Sequence, residues 1–359
     1  MTSAQMLGFL FVVLGAVCGG SFGLPSKFVK KETPWEVLWG PFFFFVTILI
    51  PCIVAPLVVD DLGGIYSRVE TGKIVPVVVF GFLWGLGSMT LGMSFAFIGL
   101  SLAYALNYGA QIIFGSMMPL ALFNADHILT PHGYTILAGV AVCVAGVVVS
   151  GRAGMLKERS SKQSAVGQTP PDDAGSAIKR PKMLIGVVIG VISGILCACY
   201  AVAWGFASVK EGVNAEAAAH NAPWAAPWGA TWPGTATILW GGAVSACLYC
   251  ALQLTKNKTW GHLTRPGVGL VLVLAAAMAV LHDAAIFFFG LGSLKLGDLG
   301  VPVGYPVFMS FAIIVGNVHG FRTGEWEGAS RRSILWIVAG IALLIVGVCL
   351  LAQGLAMVK

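Results

Sequence analysis

Ten long apolar runs constrain this chain more than any other feature of its sequence. Each run is close to the roughly 20 residues that an α-helix needs to cross the hydrocarbon of a bilayer. Only 10% of the 359 residues are charged, whereas a soluble domain carries about 25%. The sequence therefore predicts an all-α integral membrane protein with ten transmembrane spans, at 4–25, 36–59, 74–98, 101–123, 131–151, 183–208, 232–254, 268–292, 300–321 and 332–354.

The longest link between spans, residues 152–182, is polar and rich in Lys, Ser, Pro and Asp. It divides the chain into a first five-helix repeat at 1–151 and a second at 183–359, joined by a flexible linker. A short match between Val13–Gly19 and Val188–Gly194 supports the division. Five is an odd number, so the second half begins on the opposite face of the membrane. We therefore expect two inverted five-helix repeats, an arrangement common in transporters.

The distribution of positive charge predicts the orientation of the spans. Sixteen of the 21 Lys and Arg residues lie in links that follow odd-numbered spans. Cytoplasmic links carry the excess of positive charge, so these links are expected in the cytoplasm and both termini on the outer side. The net charge of +6 is thus a topology signal. It does not indicate nucleic-acid binding, since no basic stripe with interleaved aromatic residues lies outside the helix ends.

Asp283 is the most informative single residue, because it lies about 15 residues into span 8. A carboxylate at the bilayer centre costs at least ~2.5 kcal/mol, so it should face the bundle interior or water. Burial favours the neutral form of a carboxyl group, which suits reversible protonation. We predict that Asp283 couples transport to protons and that His282 modulates it. The alternative is a structural hydrogen bond to a neighbouring helix, and adjacent residues on a helix need not touch each other.

Span 4 carries a polar stripe formed by Tyr104, Asn107, Tyr108 and Gln111. Their spacings of three, four and seven residues place them on one helix face. Amides offer hydrogen bonds to sugar hydroxyls, and tyrosine rings pack against the C–H face of a sugar. The stripe is therefore predicted to contact a solute, with hydrogen bonding between helices as the alternative.

Five further residues in other spans are candidates for the same pocket. Trp84 lies in the middle of span 3, away from the interfaces where Trp is usually found. Ser193, Tyr200 and Trp204 share one face of span 6, and Tyr305 could complete the pocket opposite span 4. Helix packing is the alternative at each of these positions.

The link 209–231 is rich in Trp and Pro, including Trp224, Trp228 and Trp232 at its end. These side chains could form a lid over the outer mouth, or an aromatic belt at the membrane interface. Gly-x-x-x-Gly spacing, as at Gly186, Gly190 and Gly194, predicts close crossing of helices.

Several stretches of the chain resemble the L-rhamnose–proton symporter family of the drug/metabolite transporter superfamily. The matching spacing covers nearly the whole length, at Lys27–Lys31 with Trp35, Glu36 and Trp39, at Phe82–Gly87, at Arg152–Arg159, and from Glu325-Trp326 to Arg331-Arg332. The resemblance implies a ten-helix transporter in a bacterial inner membrane that imports a monosaccharide with protons. The polar stripe of span 4 and the pair His282-Asp283 depart from the family pattern.

We expect a secondary active transporter that imports L-rhamnose or a related sugar with protons by alternating access. The alternatives are a transporter or exporter of another small metabolite, and a membrane receptor that moves nothing. Common motifs of soluble enzymes and of ATP-driven transport are missing from the sequence, so no enzyme activity, cofactor or metal is predicted. The expected partners are a sugar, a proton (with sodium as the alternative ion) and the lipid bilayer, and a homodimer stays open.

Overall fold

The computed structural model describes residues 2–30, 32–98, 100–166, 180–222 and 228–358. It confirms the predicted fold class, because ten helices are long and apolar enough to cross a membrane and no strand occurs in these ranges. The spanning helices are α1 (Ser3–Ser21), α2 (Trp35–Val58), α3 (Thr71–Ile98), α4 (Leu100–Phe123), α5 (Pro131–Val166), α6 (Arg180–Ser208), α7 (Trp232–Lys256), α8 (Val268–Leu296), α9 (Gly300–Arg322) and α10 (Arg331–Ala356).

Short links make successive helices run in opposite directions, so the bundle has two distinct ends. We call the end with the links after odd-numbered helices the basic end, and the other the opposite end. Two short helices, Leu62–Arg68 and Val213–His220, lie in links of the opposite end. Many large apolar side chains on the outside of the bundle are exposed, as expected for a surface that faces lipid.

Helix α5 continues beyond residue 151, where the sequence analysis ended span 5, and reaches Val166. Two contacts between a cation and an aromatic ring hold the start of this extension to its neighbours. Arg152 lies 4.6 Å from the ring centre of Trp336, and Lys157 lies 4.8 Å from that of Trp326. Residues 167–179 of the predicted linker lie outside the described ranges.

Proline shapes the middle of α2. Pro51 has no N–H group and cannot donate the regular hydrogen bond to the carbonyl of residue 47. The preceding residues, Phe45–Leu49, form one π-helical turn, in which the N–H of Ile50 donates to the carbonyl of Phe45. Such turns locally widen a helix and occur frequently at functional sites. The widened turn lies at the middle of α2.

Extensive pairwise contacts between helices build the core of the bundle. The most extensive contacts join α5 to α10, α3 to α6, α1 to α8, α3 to α7 and α4 to α6. The largest fully buried side chains include Trp204, Phe42 and Phe289, from three different helices. The core therefore contains aromatic rings at the depth where the sequence analysis placed its candidate residues.

Candidate functional site

Asp283 lies halfway along α8 and faces the interior of the bundle, with 3% of its surface exposed. Its Oδ1 atom is 3.2 Å from Nδ1 of His282, so the two neighbouring side chains do touch. Its Oδ2 atom has no hydrogen-bond partner among the described residues. A buried carboxylate oxygen without a partner is unfavourable, and a proton or a ligand hydroxyl at that atom would relieve the cost.

Aromatic rings from three other helices surround the imidazole of His282. Phe22 at the end of α1 lies 5.6 Å from it between ring centres, Phe42 of α2 lies 5.9 Å away, and Trp84 of α3 lies 5.9 Å away. Phe22 and Phe42 approach edge-on, whereas Trp84 is tilted. The histidine is thereby enclosed on several sides and directed towards the neighbouring carboxylate.

A wall of aromatic side chains continues from Trp84 towards the opposite end. The Trp84 ring is 6.0 Å from that of Tyr200, and Phe289 is 6.4 Å from Tyr200 and 6.3 Å from Trp204. The hydroxyl of Tyr200 and the indole N–H of Trp204 are buried and unpaired within the part of the chain described. The wall thus combines apolar faces with polar atoms that are ready to bind a ligand.

A continuous chain of hydrogen bonds lies beside this wall and joins four helices. Tyr305 of α9 donates to Oε1 of Gln111 at 3.0 Å, and Nε2 of Gln111 donates to Oδ1 of Asn107 at 2.6 Å. Nδ2 of Asn107 donates to Oγ of Ser193 at 2.9 Å, and Ser193 donates to the carbonyl of Gly87 at 2.9 Å. All of these side chains are buried. These hydrogen bonds fix α3, α4, α6 and α9 relative to one another.

Two local features allow Tyr305 to reach α4. A Cβ atom at Gly115 would lie 2.3 Å from the Tyr305 ring, so only glycine leaves room for the ring there. Pro306 cannot donate to the carbonyl of Pro302, four residues before it, and Ser116 of α4 donates to that oxygen instead. Because the freed carbonyl is satisfied by the neighbouring helix, the proline fixes the contact between α4 and α9.

The structure places the predicted residues in two adjoining groups and leaves one apart. Phe289 joins the groups, since its ring lies 5.8 Å from Tyr305 as well as beside Tyr200 and Trp204. Tyr104 and Tyr108 stack on each other at 5.4 Å. Tyr104 is 38% exposed and lies towards the basic end, so it does not join either group.

The Trp-rich link that ends at Trp232 lies at the opposite end of the bundle. Trp228 and Trp232 each stack on Phe287 at 6.0 Å, and Phe11 of α1 meets the edge of Trp228 at 6.4 Å. Trp224 lies outside the described residues. Phe287 follows Asp283 by one turn of α8, so this aromatic cluster lies next to the carboxylate on the side of the opposite end.

Ion pairs connect links at both ends of the bundle. At the basic end, Lys27 pairs with Glu325 and also donates to Thr323 at 2.7 Å. At the opposite end, Arg68 pairs with Asp61 at 3.0 Å and with Glu216 of a different link. Each set of contacts joins segments from separate halves of the chain.

Phe289 and Thr235 are not predicted from the sequence, yet the structure places them against the predicted residues. Phe289 is one of three consecutive phenylalanines, and no pattern distinguishes it from the other two. Thr235 of α7 is 1% exposed and lies beside the Tyr200 hydroxyl, outside good hydrogen-bond geometry. Thr231 and Thr237 lie in the same segment, so the sequence gives no signal that distinguishes Thr235. Together the groups offer aromatic faces, one carboxylate and several unpaired polar atoms, a combination suited to a small polar solute.

Comparison with known proteins identifies the family of the chain. Curated relatives named L-rhamnose-proton symporter, from Escherichia coli O17:K52:H18 and Shigella boydii serotype 18, are each 26% identical over 363 aligned positions, covering 99% of this chain and 100% of the relative. One solved crystal structure superposes with a TM-score of 0.54 at 17% identity over 99% of both chains, a likeness that concerns the fold alone. The family described as L-rhamnose-proton symport protein matches residues 1–357. The chain therefore belongs to this family of membrane transporters.

Proposed function

We propose that the protein imports a monosaccharide, L-rhamnose or a related neutral sugar, together with protons. The observation that carries the proposal is the buried carboxylate of Asp283 beside the aromatic wall, whose Oδ2 atom has no partner in the described parts of the chain. A charged group held in the middle of a membrane bundle is expensive and is usually found where transport takes place. The names of the curated relatives support the sugar and the coupling ion.

Asp283 serves as the proton-coupling residue in this proposal, and His282 modulates it. The neutral carboxyl can donate from Oδ2 to a sugar hydroxyl, whereas the ionised carboxylate can only accept. Sugar binding and protonation would then favour each other, because the sugar hydroxyl accepts a hydrogen bond that only the protonated acid can donate. Protonation also removes the cost of a buried charge. His282 contacts Oδ1, so its imidazole can stabilise the carboxylate after the proton leaves. Sodium remains the alternative coupling ion.

The sugar would lie between the aromatic wall and the polar chain. Trp84, Tyr200 and Trp204 supply ring faces and unpaired polar atoms. Asn107, Gln111, Ser193 and Tyr305 form the second side, with their amides and hydroxyls already paired to one another. Tyr108, on the same helix as Asn107 and Gln111, lies beside them. We assign the first group to direct solute contact. The second group positions the helices and exchanges partners as the site opens.

Alternating access would come from two inverted five-helix repeats that rock against each other. Helix contacts support this arrangement because they recur when every helix number is shifted by five. The corresponding pairs are α3–α6 with α8–α1, α4–α6 with α9–α1, α3–α7 with α8–α2, and α4–α5 with α9–α10. The ion pairs Lys27–Glu325 and Arg68–Glu216 would break and reform as the two ends open in turn. The bacterial origin of the curated relatives supports a bacterial inner membrane, and the distribution of Lys and Arg favours both termini on the periplasmic side.

Counterflow in proteoliposomes tests transport and separates it from the alternatives. Vesicles loaded with unlabelled L-rhamnose should take up labelled L-rhamnose without any ion gradient. A panel of neutral sugars and other small metabolites would identify a different solute. A receptor that binds without moving its ligand gives no counterflow, and this result with every solute in the panel would overturn the proposal.

Asp283→Asn then tests the coupling. Asparagine resembles the protonated acid, so the variant should keep counterflow but lose accumulation driven by an imposed pH gradient. The matched control is Asp298→Asn, the same change at an exposed position in the link after α8, which should keep both activities. Full gradient-driven accumulation by Asp283→Asn would exclude this residue from proton coupling.

A further inference from the structure

Threonines in the spanning helices of this protein follow a common pattern, from which Thr235 departs. A helical threonine normally donates its hydroxyl to the backbone carbonyl four residues earlier, which satisfies it inside a membrane. This bond is made by Thr47, Thr90, Thr135, Thr237 and Thr255. Thr235 is 1% exposed, yet its hydroxyl has no partner among the residues described. Its hydroxyl is therefore buried without the bond that the other threonines make.

The surroundings of Thr235 suggest what the hydroxyl is for. It is a neighbour of the Tyr200 hydroxyl, and Tyr200 in turn packs against Trp84, the same ring that lies 5.9 Å from His282 beside Asp283. Within the described part of the chain, α6, α7 and α8 thus each carry one buried polar atom without a partner, at Tyr200, Thr235 and Asp283. Unpaired polar atoms are uncommon inside proteins, and several together indicate a place for a ligand that pairs with them.

We propose that Thr235 binds a hydroxyl group of the transported sugar and helps to determine which sugar is accepted. This inference rests on the proposed function and adds a residue of α7 to the solute site. A threonine hydroxyl both donates and accepts, so it matches a sugar hydroxyl in either orientation, whereas the indole of Trp204 only donates. Loss of a sugar hydroxyl at this position leaves the threonine unpaired again, which is how a polar site rejects an analogue.

The test uses the full-length protein in proteoliposomes and half-saturation of counterflow with L-rhamnose. Thr235→Val keeps the shape and removes the hydroxyl, and should raise the half-saturating concentration about three- to tenfold, the worth of one net hydrogen bond. Thr235→Ser keeps the hydroxyl and should restore most of the affinity. The control is Thr237→Val, whose hydroxyl already bonds to Pro233 and Tyr66, and this variant should retain the wild-type value.

A series of singly deoxygenated L-rhamnose analogues identifies the hydroxyl that Thr235 contacts. For one analogue, the half-saturating concentration in the wild type should be higher than that of L-rhamnose. In Thr235→Val the same analogue and L-rhamnose should have equal half-saturating concentrations, because the deoxygenation and the substitution remove the same hydrogen bond. An unchanged half-saturation and an unchanged analogue profile in Thr235→Val would overturn the inference while leaving sugar transport intact. If Thr235→Val does not elute as a folded species, Thr235→Ala is measured with the same analogues. Absence of wild-type counterflow would instead contradict the proposed function.

Discussion

The glycines of α6 provide a sharp test of how the helices pack around the site. Gly190 and Gly194 belong to the same Gly-x-x-x-Gly series, and nothing in the sequence distinguishes them. A Cβ at Gly194 would lie 2.4 Å from the carbonyl oxygen of Asn107 and 2.7 Å from Cβ of Ala110. At Gly190 the nearest atom, Cβ of Leu106, would be 3.6 Å away, an ordinary contact. Alanine should therefore be tolerated at one position and not at the other.

The expected magnitudes follow from these distances. At Gly194 the helices must separate by about 1 Å, and overpacking of this kind costs about 1–3 kcal/mol. The shift would also strain the bond between Asn107 and Ser193, worth about 0.6 kcal/mol in a membrane protein. At Gly190 alanine should instead stabilise the helix by about 0.5–1 kcal/mol, since glycine is the poorer helix former. Because the helix gain applies at both positions, it cancels, and the two variants should differ in free energy of unfolding by about 1–3.5 kcal/mol.

Reversible unfolding in mixed detergent micelles measures this difference, with the wild type between the two variants. Gly194→Ala should also weaken sugar counterflow, because it displaces α4 and with it Asn107. Gly190→Ala should leave counterflow unchanged. Equal stabilities for the two alanine variants would refute the packing of α6 against α4 described here, whatever the transport result.

Two further predictions concern the ends of the bundle. A double-mutant cycle of Lys27→Ala and Glu325→Gln should give a coupling below about 1 kcal/mol that falls with added salt, since both side chains are more than a third exposed. The Arg68 guanidinium donates to Asp61 and lowers the pKa of that carboxyl. A lowered pKa means that this contact stabilises the folded state at neutral pH and is lost as the pH falls through the lowered value. Hydrogen exchange of Leu62–Arg68, corrected for its intrinsic pH dependence, should accelerate in that range, and Asp61→Asn should remove the change.

The ten spans could be predicted from the sequence because each is a local property. About 20 apolar residues are needed to cross the hydrocarbon, whichever helices surround them. The end of α5 could not be predicted in this way. The polar residues from Arg152 onward are helical partly because Arg152 contacts Trp336 and Lys157 contacts Trp326, and these rings come from a helix and a link about 170 to 185 residues later in the sequence.

The candidate site was predictable in part, and its limits follow from helix geometry. Helical spacing correctly placed Asn107 and Gln111 on one face of α4, where they bond to each other. Spacing gives the face but not the depth at which another helix meets it. Tyr104 precedes Gln111 by seven residues, a rise of about 10 Å. It therefore lies nearer the basic end, while Gln111 meets Tyr305.

Thr235, which we propose as a sugar contact, differs from other buried threonines in its hydrogen bonding and its neighbours, which composition does not reveal. The buried threonines in these spans look alike in the sequence. They differ in whether the hydroxyl donates to a backbone carbonyl of the same helix, which satisfies it. Thr237, two residues later, finds Pro233 and also bonds to Tyr66. Thr235 makes no such bond to any described residue, and its neighbour on another helix is Tyr200. A helix selected for stability alone would satisfy both hydroxyls, so the unsatisfied one is the better guide to where a solute binds.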